Sequence, residues 1–277
     1  MKREELIKDG ERIVFYRSEI FPPDCRHGFF TSDMDFNPLR CPSDILNQNV
    51  HKIASALDFD ASGFVSVKQI HSADVRNVGK CDGGKFYFRP SDFECDGYVT
   101  VESGTALGVR SADCVPILLC AVNGNGETIS ISAIHAGWRG TVKKIAVAAV
   151  HRMCSVGAVP ERIFAAIGPS ICQDCFEVGG DFVQSVREGL GESACLRYIV
   201  PSKDKDEKFH ADLWSMNRDQ LLSCGVLPQN IDAFGICTCC NTNEFFSHRG
   251  SGKAPHGTQI SVIVMPCRQL LLYFKYT

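Results

Sequence analysis

Ile129-Ser130-Ile131-Ser132-Ala133-Ile134-His135-Ala136-Gly137-Trp138-Arg139-Gly140-Thr141 is the stretch on which the reading of the fold turns. Residues 129–134 form a strand-like run that delivers His135 at its end. Gly137 and Gly140 allow close approaches that side chains would block. Thr141 then reads as the cap of a helix to about residue 153, with Ile145, Ala149 and Met153 on one face.

Working outward, residues 97–100, 106–110 and 115–121 are short apolar strand candidates, dense enough to suggest a buried sheet. Further strands are expected at 12–16, 28–31, 162–167, 231–237, 260–265 and 270–276, and at 64–70, which would deliver His71. Ser43 looks like an N-cap, followed by the helical stripe Leu46, Val50, Ile53 and Leu57. Helices are also expected at 181–190 and at 213–224, the latter ended by Gly225. The polar stretches 79–95 and 203–208 read as loops. Helices interspersed among strands, without repeat or linker, argue for α/β architecture as a single domain over residues 1–277 with a mixed sheet.

Composition sets limits. The chain has 277 residues, 44% hydrophobic and 22% charged, ordinary values for a soluble globule. A net charge of -3 lacks the basic balance of a nucleic-acid binder. The start, Met1-Lys2-Arg3-Glu4-Glu5, is charged and has no apolar core behind it, so no secretory signal is expected. Apolar runs stay far below the roughly 18 residues a membrane span needs. A cytoplasmic protein acting on small molecules, with no nucleic-acid or membrane partner, is the expectation; sequence is silent on oligomeric state. The 15 cysteines are odd in number and unlike a disulfide scaffold, so most read as reduced, buried thiols.

Three segments put borderline or soft ligands beside apolar runs: His71 in Lys68-Gln69-Ile70-His71-Ser72, Cys114 in Ala112-Asp113-Cys114-Val115-Pro116, and His135. Two imidazoles and a thiolate suit Zn²⁺ and leave a fourth position open. Their separations, 43 and 21 residues, match no short zinc-finger spacing, and each alone also reads as an ordinary core residue. The helix opening beyond Gly140, with Arg139 beside it, is a candidate phosphate site; a tight strand-to-helix turn with a surface arginine is the plainer alternative.

Taken together, the motifs resemble the purine nucleoside phosphorylase family formerly labelled multicopper polyphenol oxidases, or laccase-domain proteins. The resemblance rests on the three segments above and on Asp96-Gly97-Tyr98-Val99-Thr100, Ile167-Gly168-Pro169-Ser170-Ile171, Phe176-Glu177-Val178-Gly179, Asp212-Leu213-Trp214 with Asn217, and Phe245-Phe246-Ser247-His248-Arg249. It implies a three-layer α/β fold shared with some cysteine hydrolases, and a catalytic zinc on His71, Cys114 and His135. It also implies phosphorolysis of adenosine, inosine and methylthioadenosine, with adenosine deamination beside it. Gln69, Arg139 and Arg249 are candidate substrate or phosphate contacts, and Asp113 and Gln69 candidate orienters of the ligands. The chain departs from the family pattern at Asp33-Met34-Asp35-Phe36-Asn37, and at Gly250 and Thr258, where the family carries arginines.

Other readings stay open. Cys114 with His135 or His71 could serve a metal-free Cys–His hydrolase. Copper-dependent oxidase chemistry fits poorly, because the chain has eight histidines and no His-x-His pair; Cu²⁺ would occupy the site only adventitiously. The usual deaminase signature is absent, since no histidine is followed by x-Glu. Cys172-x-x-Cys175 with Cys237-x-Cys239-Cys240 could bind zinc or an iron–sulfur cluster; reduced thiols are the default there. A decayed site that binds without turnover is the non-enzymatic reading.

Overall fold

A computed structural model describes residues 2–8, 10–82, 94–233, 235–252 and 254–267. Fifteen strands and six α-helices are assigned among them. The strands are β1 (Lys2–Lys8), β2 (Glu11–Arg17), β3 (His27–Phe30), β4 (Phe64–Val65), β5 (Val75–Asn77), β6 (Gly97–Thr100), β7 (Ala106–Ser111) and β8 (Val115–Val122). They continue as β9 (Thr128–Ala136), β10 (Ile163–Ile167), β11 (Glu177–Val178), β12 (Ile199–Pro201), β13 (Phe209–Ala211), β14 (Ile231–Ala233) and β15 (Gln259–Val264). The helices are α1 (Ser43–Leu57), α2 (Trp138–Val142), α3 (Ile145–Ser155), α4 (Gly180–Leu190), α5 (Glu192–Tyr198) and α6 (Leu213–Ser223).

The expected mixed α/β class is what the chain adopts. Its strands divide between two six-stranded sheets, ordered β1-β2-β3-β15-β7-β4 and β14-β10-β8-β9-β6-β5, with a small third sheet β11-β13-β12. Side-chain alternation along β8 explains the stacking. Val115, Ile117 and Leu119 join a core with Ile145 and Met153 of α3, Val186 of α4 and Leu221 of α6. Leu118 and Cys120 point the other way, into a core with Leu107 and Val109 of β7 and Ile263 beside them. On the far side of that sheet, Ile260, Val262 and Val264 pack with Leu46, Val50 and Ile53 of α1. Helix, sheet, sheet and helices thus make four layers rather than three, with β8, β9, β7 and β15 covered on both faces. Tyr98 on β6 donates its hydroxyl to the Gly108 carbonyl on β7, joining the sheets.

Several expectations need correction. The strand expected at 64–70 ends at Val65, and His71 arrives instead on a loop in which its own φ is +58°. The helix expected to be capped by Thr141 starts at Trp138 and lasts one turn, then restarts at Ile145 after Lys144 takes a left-handed φ of +65°. Thr141 is buried inside α2 and accepts a hydrogen bond from Asn217 Nδ2. Ser43 lies within α1, whose cap position is Pro42. The strand expected at 231–237 pairs only through Ala233, with an isolated bridge from Cys237 to Ser170. Strand β1 was not expected, since its residues are mostly charged and exposed; it is held in a hairpin by β2, with Arg12 to Glu5 at 2.8 Å and Arg17 to Glu4 at 2.9 Å. Residues 83–93 of the expected loop and the strand expected at 270–276 lie outside the described residues.

Candidate metal centre

Antiparallel pairing brings two of the three candidate ligands together. Val115 pairs with Ala136 and Pro116 with His135, so Cys114, just before β8, stands beside the end of β9. The separation that looked uninformative in sequence is the length of a hairpin. His71 joins them from its loop, its ring centroid 4.9 Å from that of His135 at 85°. Ligand atoms of His71, Cys114 and His135 all lie within 4.8 Å of one another. His135 is buried, Cys114 half-buried and His71 exposed.

The residue that builds this arrangement is Asp96, which the sequence offered only as part of a family motif. Its carboxylate is fully buried and accepts from the backbone N–H groups of Ile70 (3.2 Å), His71 (3.0 Å) and Ser72 (2.6 Å) and from Ser72 Oγ (2.8 Å). It also accepts from His135 Nδ1 at 2.8 Å. One carboxylate therefore shapes the His71 loop and fixes the His135 tautomer, leaving Nε2 as the ligand atom. Burial pushes the Asp96 carboxyl up, but the His135 and Ser72 hydrogen bonds outweigh it and hold the pKa down to about 2. The legible signal was a carboxylate directly ahead of an apolar strand.

Cys114 and His135 shift each other. Burial alone would raise the thiol, yet His135 and His71 bring Cys114 down to about 6. Burial would lower His135, yet the Cys114 thiolate and Asp96 lift it to about 9. With the thiol already ionised, a metal ion would have to displace only the Nε2 proton of the imidazolium.

Gly137 completes the geometry. A Cβ there would stand 2.9 Å from His71 Cδ2, 3.3 Å from Cys114 Sγ and 3.4 Å from His135 Cε1. At Gly140 a Cβ would meet the Ser72 carbonyl at 2.7 Å. The close approaches expected of these two glycines are therefore present.

Asp113 adopts φ +89° and accepts from Thr238 Oγ1 (2.7 Å), Ser247 Oγ (2.6 Å) and the Arg249 N–H (2.7 Å). It ties the Cys114 turn to two C-terminal loops. Gln69 uses both ends of its amide on the Arg110 backbone, each at 2.8 Å, which makes it a brace for the loop. Arg249 donates to the Cys175 and Glu177 carbonyls, both at 3.0 Å. Arg139 stacks its guanidinium 4.4 Å above the Trp138 ring.

These groups line a cavity of about 630 Å³ that holds His71, Cys114 and His135, apolar Trp138, Ile171, Phe176 and Leu213, and basic Arg139, Arg249 and His248. Its size lies within the range of small-molecule sites. Two departures from the family pattern meet at its rim: Asp35 accepts from the Thr258 N–H at 3.0 Å, and the Phe36 N–H donates to the Thr258 carbonyl at 2.8 Å.

The chain is 38% identical over 208 residues to a protein named adenosine deaminase RL5 from an unknown prokaryotic organism, covering 72% of this chain and 74% of that one. It is 34% identical over 223 residues to a purine nucleoside phosphorylase of Deinococcus radiodurans, covering 80% and 78%. The structure matches the crystal structure of YlmD from Geobacillus stearothermophilus with a TM-score of 0.78 at 27% identity, covering 94% of this chain and 98% of that one. Residues 42–266 match the family described as multi-copper polyphenol oxidoreductase laccase, whose curated relatives here are named as enzymes, and the chain belongs to that family.

Proposed function

We propose that this chain is a zinc-dependent purine nucleoside phosphorylase of the cytoplasm, folded as one domain around the core shared by its two large sheets. It converts adenosine, inosine or methylthioadenosine and phosphate to the free base and the ribose 1-phosphate, with adenosine deamination as a second activity. The observation that carries this is the convergence of His71, Cys114 and His135 in a cavity of nucleoside size. The donor set fits the metal: two imidazoles and one thiolate, one tautomer fixed by Asp96, and the three arranged around a single point. When bound, zinc supplies a Lewis acid able to polarise substrate or activate water.

The chain's own residues account for the rest. Trp138, Ile171, Phe176 and Leu213 offer an apolar wall for a purine ring. Arg139, without an acid partner among the described residues, is free to meet phosphate; Arg249 is committed to loop carbonyls and holds the wall. His248 and His256, joined at 2.9 Å, stand near the family's missing arginines at Gly250 and Thr258 and supply further donors. Since α2 is only one turn, the phosphate contact rests on these side chains more than on a helix dipole.

A second reading draws on one observation. Cys114, His135 and Asp96 form a nucleophile–base–orienter series, as a metal-free hydrolase would need. It leaves His71 only to support the thiolate, whereas zinc would use all three side chains as ligands, which favours zinc. Stoichiometric zinc together with phosphate-dependent release of hypoxanthine from inosine is the expected result. A zinc-loaded protein that releases no base from any nucleoside at saturating phosphate overturns the reading; a covalent acyl adduct on Cys114 establishes the hydrolase.

A further inference from the structure

Outside the catalytic cavity, two loops bring four sulfurs together. Ligand atoms of Cys172, Cys175, Cys237 and Cys240 all lie within 4.8 Å of one another. The spacing expected from Cys237-x-Cys239-Cys240 needs correction here: Cys237 and Cys240 are the pair, separated by two residues like Cys172 and Cys175, and Cys239 stays outside the cluster. We propose that these four cysteines hold a second zinc ion, structural in role and independent of the His71–Cys114–His135 centre.

Several features separate the cluster from an accidental gathering of thiols. Paired C-x-x-C segments are the usual source of a four-cysteine zinc site. Each half sits on a tight turn: Gln173–Cys175 forms a 3-10 helix, with the Phe176 N–H bonded to the Cys172 carbonyl at 3.0 Å, and Asn241 Nδ2 donates to the Cys237 carbonyl at 2.7 Å. The Cys172 N–H points at Cys237 Sγ, 3.3 Å away, the kind of donor that stabilises a metal-bound thiolate. Arg249 places its positive charge on the Cys175 carbonyl, which offsets the negative charge of a four-thiolate site. Cys175 and Cys240 lie 3.4 Å apart through sulfur. Zinc–sulfur bonds of about 2.3 Å in a tetrahedron put sulfurs roughly 3.8 Å apart, so small shifts suffice for one ion. A multi-iron cluster would need a wider cage.

The ion's task follows from what it joins. Ser170 bridges to Cys237, and Thr238 bonds to Asp113, so the two loops already meet beside the Cys114 turn. Ile171 and Phe176, on the first loop, line the cavity. Zinc here would lock that wall to the C-terminal loops.

The test uses full-length protein purified without added metal. Wild type should carry about two zinc ions per chain, and the His71→Ala/Cys114→Ser variant about one, in an all-sulfur shell near 2.3 Å by X-ray absorption. Cys175→Ser/Cys240→Ser should lose that ion and keep the other. If this second variant fails to fold, the absorption spectrum of the first decides alone. A first variant with no metal, with iron, or with a nitrogen and oxygen shell overturns the proposal, as does a Cys175–Cys240 disulfide in the isolated protein. Should the catalytic centre hold no zinc, wild type would still carry one all-sulfur ion, so the two readings fail separately.

Discussion

Asp96 accepts the Nδ1 proton of His135 at 2.8 Å while also accepting the three successive N–H groups of residues 70–72. The same carboxylate thus orients one candidate ligand by its ring and another by its backbone. Asp96→Ala should weaken zinc binding by about 10–100-fold, the usual effect of removing a ligand's outer partner. Competition with a chromophoric chelator measures it. Unchanged affinity would remove Asp96 from the account.

Gly137 has φ -63° and ψ 162°, a conformation any residue adopts, so Gly137→Ala adds no backbone strain. Its methyl would instead press on His71 and Cys114. Turnover should fall on the order of tenfold or more, because misplacing catalytic groups by fractions of an ångström is costly. The melting temperature should barely move. A fully active variant would show that the three ligands have room to spare.

Asp113 holds Thr238, Ser247 and Arg249 through one carboxylate while occupying a left-handed backbone conformation. Asp113→Ala loses the acceptor and strains the turn, and should cost about 3 kcal/mol. Asp113→Asn tolerates the backbone and keeps one acceptor oxygen, so it should cost less. Urea unfolding ranks the two, and hydrogen exchange over residues 238–250 should rise in the alanine variant. Equal losses would contradict the role assigned to the backbone.

His27 gives a pH dependence. Burial lowers its pKa to about 4, and the ring accepts the Ser18 N–H at Nε2, 2.9 Å away. The unfolded chain therefore binds the proton first, near pH 6.5, and stability drains as pH falls from there towards 4. Between pH 7 and 5 the loss from this group should be about 2 kcal/mol. Comparing wild type with His27→Gln at each pH isolates it from other titrating groups. Parallel stability profiles for the two proteins would refute it.

Much of the site was readable because its ligands adjoin strongly patterned strands. Residues 115–121 are apolar throughout and 129–134 alternate small polar with apolar residues, and their hairpin pairing sets Cys114 beside His135. Strand β1 was not readable: its charged residues are stable only as the edge partner of β2. The break at Lys144 was hidden because helical periodicity continues through it. Asp96 carried no sign of the five hydrogen bonds it accepts, since hydrogen bonds between distant segments leave no local pattern.

From the sequence came the residue types able to bind a soft or borderline metal, the apolar runs that make strands, and the glycines that let backbone approach side chain. These are local properties, fixed by covalent chemistry and by the period of each segment. Folding decided which face of each strand met which layer, that the strands would form two stacked sheets, and that one buried carboxylate would gather His71 and His135. Those outcomes depend on contacts between residues far apart in the chain, whose free energies exist only once the layers have packed.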